Sequence, residues 1–127
     1  MHNNESAENY LETILMLSKK LPVVRAVDIA NELGYKKSSV SIAMKHLREK
    51  EHITVTTSGF ISLTETGRAV AEMIFERHEM LTNVLIAIGV PEDIASEDAC
   101  KIEHVISPES FEAIKNSLAK HHKNIIE

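Results

Sequence analysis

The residue pattern changes from helical to extended after His52, and this change limits the possible folds more than any other feature. The stretch ITVTTSGFISLT contains two short β-branched runs on either side of Ser58 and Gly59. β-branched residues favour strands, and a small polar residue followed by glycine favours the turn between them. The sequence therefore predicts a β-hairpin that follows a helical region.

The region before the hairpin has the apolar spacing of three helices. The first is expected from about Ser6 to Lys20, and the second from about Ala26 to Leu33, where Gly34 supplies a left-handed end. Ser38 or a neighbour is expected to cap the third. Its inward positions are Val40, Met44 and Leu47, and its outward positions are Lys37, Ser39, Ser41, Lys45 and Arg48. The last two helices predict a helix-turn-helix, and the hairpin predicts its wing.

The region after the hairpin is expected to be helical throughout. Thr64 can cap a long helix that ends near Gly89, Pro91 starts another that reaches about Ile106, and Ser107 with Pro108 begins the last. The expected fold is mainly α with a small β-hairpin wing. Its domains are a winged helix-turn-helix at 1–63 and a helical domain at 64–127.

Basic residues are concentrated in the predicted helix-turn-helix. Between Arg25 and Lys50 there are six basic and three acidic residues, a local net charge of +3, whereas the whole chain carries −5 and the remainder therefore −8. This asymmetry fits an acidic body with one element that faces nucleic acid. Winged helices also serve as protein-interaction modules, so this alternative stays open at this point.

The composition places the chain inside the cell. There is no apolar run of the roughly 18 residues that a membrane span requires, and MHNNESAENY does not have the basic and apolar regions of a signal peptide. The single cysteine fits a reducing compartment, where a thiolate stays available as a ligand. We expect a cytoplasmic protein without a membrane partner.

A potential metal cluster lies in the stretch DACKIEHVIS. Offsets of three and four residues place Cys100, Glu103 and His104 on one face of a helix. A thiolate, a carboxylate and an imidazole suit a divalent first-row transition metal. For these three residues alone, a buried cysteine beside two solvated side chains is the simpler interpretation.

Nearly the whole chain resembles the iron- and manganese-dependent repressors of the diphtheria toxin repressor and manganese transport regulator family. The most specific segments are SSVSIAMKHL, the TxxGR after the wing, the RH of the long helix and the CxxEH. The resemblance implies a homodimer that represses metal-homeostasis genes by binding operator DNA with its N-terminal half. It also implies that the second half supplies dimerisation and metal sites.

The resemblance assigns further metal ligands residue by residue. Cys100, Glu103 and His104 fall on the primary ligands, Asn9 falls where a methionine or aspartate completes that site, and His78 falls on a second-site ligand. Glu12 matches a carboxylate of the manganese-type branch. The implied site residues are Asn9, Glu12, His78, Cys100, Glu103 and His104.

Departures from the family pattern combine features of both branches. Thr82 and Ser96 stand where iron-type members use an acid and a second histidine, so that ancillary site is expected to be absent. Asn9 offers only an amide oxygen, and water could take its place. The chain ends before the SH3-like domain of the iron-type members, which implies a short form.

The ligand set leads us to rank Fe(II) first and Mn(II) second as the metal in the cell. A thiolate at position 100 is softer than the carboxylate of manganese-type members, which favours Fe(II), whereas an oxygen-rich second site could hold Mn(II). Zn(II), Co(II) or Ni(II) could bind in vitro.

The expected DNA surface combines the recognition helix with the tip of the wing. Its residues are Lys36, Lys37, Ser38, Ser39, Ser41, Lys45, Ser58 and Gly59. Two other functions remain: a metal-independent winged-helix regulator or interaction module, and a small metal-dependent hydrolase that uses Glu12 or Glu103 as a general base. The hydrolase is disfavoured because nothing marks a substrate cleft, so we expect no enzyme and no small-molecule substrate.

Overall fold

Six helices and one β-hairpin make up the computed structural model, which describes residues 3–126 and the side chains of residues 6–118. The elements are α1 (Asn3–Lys20), α2 (Ala26–Leu33), α3 (Lys37–Glu49), β1 (Ile53–Val55), β2 (Ile61–Leu63), α4 (Glu65–Ala87), α5 (Glu92–Ile102) and α6 (Pro108–Ile126). The chain forms two compact units that divide between Phe75 and Glu76, within α4. The expected fold class is confirmed, and the domain boundary between residues 63 and 64 stays a prediction.

The helix-turn-helix consists of α2 and α3. Gly34 adopts a left-handed conformation (φ 71°, ψ 28°) and its N–H donates to the carbonyl of Ala30 at 2.8 Å, which ends α2 at the predicted residue. Helix α3 begins two residues earlier than a cap at Ser38 would place it. Lys36 occupies its N-cap position, and no side chain caps the helix there. The prediction that Ser38 or a neighbour caps α3 is therefore wrong, and Ser38 lies within its first turn.

The wing is a short antiparallel hairpin. Ile53 pairs with Leu63 and Val55 with Ile61, and Ile61 also donates a backbone hydrogen bond to the carbonyl of Val24 at 2.8 Å. The N–H of Gly59 donates to the carbonyl of Thr56 at 2.9 Å, and Gly59 has φ 84°. The turn therefore uses the left-handed conformation that glycine adopts without steric cost.

The core of the first unit is assembled from every one of its elements. Helix α1 contributes Leu11, Ile14 and Leu15, all at most 2% exposed. Other buried members are Ile29, Val40, Met44, Leu47, Ile53, Ile61 and Ala71. Because Val40, Met44 and Leu47 face this core as predicted, the opposite side of α3 is left in solvent.

Hydrogen bonds join the start of α4 to the residues that follow α3. The hydroxyl of Thr64 accepts the N–H of Gly67 at 3.1 Å and donates to the carbonyl of Glu51 at 2.7 Å, and the Thr64 N–H donates to the carbonyl of His52. A side chain at position 67 would overlap that carbonyl of His52. The TxxGR segment therefore fixes the wing, because it provides both a cap and a close backbone approach.

The second unit is formed by the end of α4 with α5 and α6. Its buried apolar residues include Leu81, Ala95, Ala99 and Phe111. Helix α5 ends at Ile102 and continues as a turn, so the prediction of a helix to about Ile106 is wrong. Within the described part of the chain, no helix combines the length and hydropathy that a bilayer crossing needs.

Candidate metal centre and nucleic-acid interface

The end of α5 and the turn that follows it bring Cys100, Glu103 and His104 together. Each of the three offers one ligand atom, and these atoms lie within 4.8 Å of one another. Glu103 is the C-cap residue of α5 with right-handed backbone angles (φ −58°, ψ −27°), so the chain stays helical enough to hold the predicted spacing. The three side chains therefore lie close together as predicted, although the regular helix ends earlier than expected.

Glu103 is the centre of this cluster. Its side chain is fully buried, and its Oε2 lies 2.8 Å from Nδ1 of His78. Its Oε1 lies 3.3 Å from Nε2 of His104, whose side chain is 3% exposed. Two imidazoles, one from α4 and one from the turn after α5, therefore approach the two oxygens of one carboxylate.

The buried Oε1 of Glu103 is the atom that tests whether a metal fits here. Although His104 is near enough for an ion pair, Oε1 accepts no hydrogen bond within the described residues. A buried carboxylate oxygen without a hydrogen bond is costly, and a bound cation would compensate it. Cys100 is exposed at the edge of the cluster, so solvent can complete a coordination shell. The donor set fits a divalent transition metal.

Arg77 holds the turn that carries Glu103. Its side chain is buried, and its Nη1 donates to the carbonyls of Glu103 at 3.2 Å and Ile106 at 3.3 Å. The guanidinium also lies over the ring of Phe111, 5.4 Å from its centre. Carbonyls at a helix end need donors, and this arginine supplies them from 26 residues away in sequence. Arg77 was not a predicted site residue, and the signal that could have found it was its position beside His78.

Thr82 and Ser96 both contact His78. The Thr82 hydroxyl donates to the carbonyl of His78 at 2.7 Å, and the Ser96 hydroxyl lies 3.4 Å from its Nε2. The two positions that the family resemblance assigns to an ancillary metal site thus hold hydroxyl groups here. Of the two hydroxyls, only that of Ser96 lies beside the imidazole of His78, since Thr82 bonds to the backbone carbonyl.

Asn9 and Glu12 lie on α1 in the first unit, whereas His78, Cys100, Glu103 and His104 lie in the second. Glu12 is buried at 7% exposure, and Asn9 is half-buried. A buried carboxylate on a helix is unusual unless a partner compensates its charge. Both residues stay predicted ligands.

The predicted DNA surface is exposed along α3. All six of its helix-turn-helix residues are exposed, whereas Val40, Met44 and Leu47 on the inward side of α3 are buried. At the wing, Ser58 is exposed and Gly59 is half-buried. Two exposed side chains near this surface were not predicted, Ile42 on α3 and Tyr35 in the preceding turn. Ile42 could have been found from its spacing, four residues after Ser38 and three before Lys45.

Two domain families match consecutive parts of the chain. The N-terminal DNA binding domain of iron dependent repressors matches residues 3–58, and their metal binding and dimerisation domain matches residues 64–125. The two matches follow the order that the sequence predicted.

Individual relatives agree with these matches. The transcriptional regulator MntR of Escherichia coli O6:H1 is 32% identical over 120 residues, which cover 94% of this chain and 77% of that protein. An HTH-type transcriptional regulator of Methanocaldococcus jannaschii is 32% identical over 119 residues, 92% of this chain and 95% of its own length.

A solved manganese-dependent transcriptional repressor in complex with manganese is similar in structure. It superimposes with a TM-score of 0.82 at 25% identity, and the match covers 89% of this chain and 52% of that one. The chain thus spans about half the length of this repressor. Both halves match the paired domains of one family, and relatives are about one-third identical to the chain over the aligned residues. The chain therefore belongs to the iron-dependent repressor family of metal-dependent, DNA-binding transcriptional regulators.

Proposed function

We propose that this regulator is a repressor that binds operator DNA when a divalent metal occupies the cluster around Glu103. The observation that carries the proposal is the buried Oε1 of Glu103, which accepts no hydrogen bond within the described residues and faces His104 beside Cys100. Cys100, Glu103 and His104 would hold the metal, and its positive charge would compensate the buried carboxylate. Cys100, Glu103 and His104 then hold the end of α5 in one arrangement.

Fe(II) is the first choice for the metal and Mn(II) the second. The thiolate of Cys100 favours Fe(II) over Mn(II), because Mn(II) prefers harder oxygen donors. The manganese-dependent repressor among the similar structures supports Mn(II). Zn(II), Co(II) or Ni(II) in purified protein would not identify the metal in the cell, because they bind such donors more tightly than Mn(II) or Fe(II).

Asn9, Glu12 and His78 are the remaining proposed ligands. His78 is supported by its contact with Glu103, and Glu12 by the burial of a carboxylate on α1. Ligands from α1 would link metal occupancy to the DNA-binding half of the chain. Metal would then raise the population of the arrangement that is competent to bind DNA.

The proposed DNA surface is the exposed side of α3 together with Ser58 and Gly59 of the wing. Lys37 and Lys45 on α3 and Lys36 at its N-cap are exposed to solvent. Lysine ammonium groups bind phosphates and release counterions, while the serine hydroxyls can contact phosphates or base edges. We infer that α3 enters the major groove, as recognition helices of this type do.

The proposed active form is a homodimer. Large apolar side chains are exposed in the second unit, where the dimerisation domain matches. They are Ile86, Ile88, Ile94 and Val105, with Ile88 73% and Val105 68% exposed. Exposed apolar groups of this size favour burial against a partner. Sedimentation of the purified protein tests this part of the proposal.

A titration of labelled duplex DNA tests the function as a whole. The duplex comes from the promoter of the chain's own gene, and binding is measured anaerobically with Fe(II), with Mn(II) and with a chelator. We expect tight binding only with metal. Equal binding by the metal-free and metal-loaded protein would contradict the proposal and favour a metal-independent regulator.

A further inference from the structure

The most exposed large apolar side chain described in the first unit belongs to Ile42, in the middle of the recognition helix. Ile42 is 61% exposed, against 46% for Tyr35 and 41% for Met16. Its helix neighbours Ala43 and Met44 are half-buried and buried. Packing of the core therefore does not require an isoleucine at this position. Exposure of its apolar side chain to water is unfavourable.

Ile42 lies at the centre of the outward side of α3. It follows Ser38 by four residues and precedes Lys45 by three, so these side chains share one side of the helix. The buried Val40, Met44 and Leu47 point to the opposite side, each at most 5% exposed. An apolar side chain is thus surrounded by the polar groups that are proposed to touch DNA.

The charge around Ile42 favours nucleic acid as the occupant of this side. No acidic residue occurs between Lys36 and Arg48, and Lys36, Lys37 and Lys45 are exposed there. A protein partner that buries an isoleucine would also have to pair these ammonium groups. Duplex DNA can both pair with the ammonium groups and contact the isoleucine. Phosphates line the major groove, and each thymine projects an apolar C5-methyl group into it.

We propose that Ile42 reads the C5-methyl group of a thymine in the operator and so acts as a specificity-determining residue. This inference rests on the proposed function, because it requires α3 to lie in the major groove. Apolar contact with the thymine methyl is a recognised form of base readout, and lysine and serine contacts to phosphate carry no sequence information directly. Ile42 would supply sequence preference where its neighbours supply affinity.

The probe is a duplex enriched from a random-sequence library by the full-length protein loaded with Mn(II). Each thymine in the enriched site is then replaced singly by deoxyuridine, which removes only the methyl group. At one thymine per half-site we expect the affinity to fall about fourfold, as expected for one methyl group buried against an apolar side chain. In Ile42→Ala, the same replacement should change the affinity less than about twofold, the limit within which non-interacting changes are additive.

Two further variants separate readout from general binding. Ile42→Val keeps a branched apolar side chain and should retain the preference for thymine over deoxyuridine. Lys37→Ala should lower affinity for every sequence and flatten the slope of log affinity against log salt by about one. Ile42→Ala should leave that slope unchanged, because it removes no phosphate contact.

The outcomes distinguish this inference from the proposed function. Failure to enrich any sequence with metal-loaded protein would overturn both. Enrichment of a site in which no deoxyuridine lowers affinity, or an equal effect in Ile42→Ala, would overturn only the role of Ile42. If Ile42→Ala instead changes the sedimentation of DNA-free protein and leaves thymine sensitivity intact, Ile42 is a protein contact.

Discussion

His78 Nδ1 lies 2.8 Å from Glu103 Oε2, which joins side chains that are 25 residues apart in the sequence. The other oxygen of the same buried carboxylate faces His104 at 3.3 Å. A carboxylate so placed orients two imidazoles at once, and hydrogen-bonded carboxylates and histidines of this kind position metal ligands. Glu103 is therefore the residue on which the site depends most.

Glu103→Gln should reduce metal affinity by about a hundredfold or more. The amide keeps the size of the side chain but removes its negative charge, and even groups one step away from a metal contribute ten- to a hundredfold. Competition of Mn(II) against a fluorescent chelator measures the change. Glu97→Gln on the exposed part of α5 is the matched control and should bind Mn(II) as the unaltered protein does. Equal affinity in the two variants would exclude Glu103 as a ligand.

Gly67→Ala should destabilise the first unit by about 3 kcal/mol or more. The added Cβ would overlap the backbone carbonyl of His52, which cannot yield without moving the wing. Gly34→Ala is the comparison, because Gly34 has a positive φ but no atom within 4 Å of an added Cβ. It should cost only about 1 to 2 kcal/mol, the strain of the left-handed conformation. Urea unfolding of both variants measures the difference; a reversed order would disprove the close approach.

Cys100→Glu should reverse the order of the activating metals. With the thiolate, we expect Fe(II) to activate DNA binding at a lower free concentration than Mn(II) under anaerobic, reducing conditions. A carboxylate at position 100 is a harder donor and should favour Mn(II). Cys100→Ser controls for loss of the thiolate alone and should weaken activation by Fe(II) without improving activation by Mn(II). If Mn(II) activates the unaltered protein at the lower concentration, Cys100 does not set selectivity.

Local patterns in the sequence were sufficient to predict the helices and the hairpin, and to predict that Cys100, Glu103 and His104 form a cluster. Gly34 ends α2 as predicted because a left-handed residue at a helix end is a local choice. The end of α5 was predicted too late, since the turn from Glu103 onward is held by Arg77, which lies 26 residues earlier in the sequence. The contact between His78 and Glu103 is likewise a property of tertiary packing, and spacing along the chain cannot predict it.

The central claim, that metal at the site and DNA on α3 favour the same state, is tested most directly by measuring metal affinity with and without DNA. Linkage requires that, if metal raises DNA affinity by a certain factor, DNA raises metal affinity by the same factor. The measurement is a competition of Mn(II) against a fluorescent chelator, in the presence and absence of a saturating enriched duplex. We predict tighter Mn(II) binding with the duplex, by the factor found in the DNA titration. Unchanged Mn(II) affinity would contradict the account.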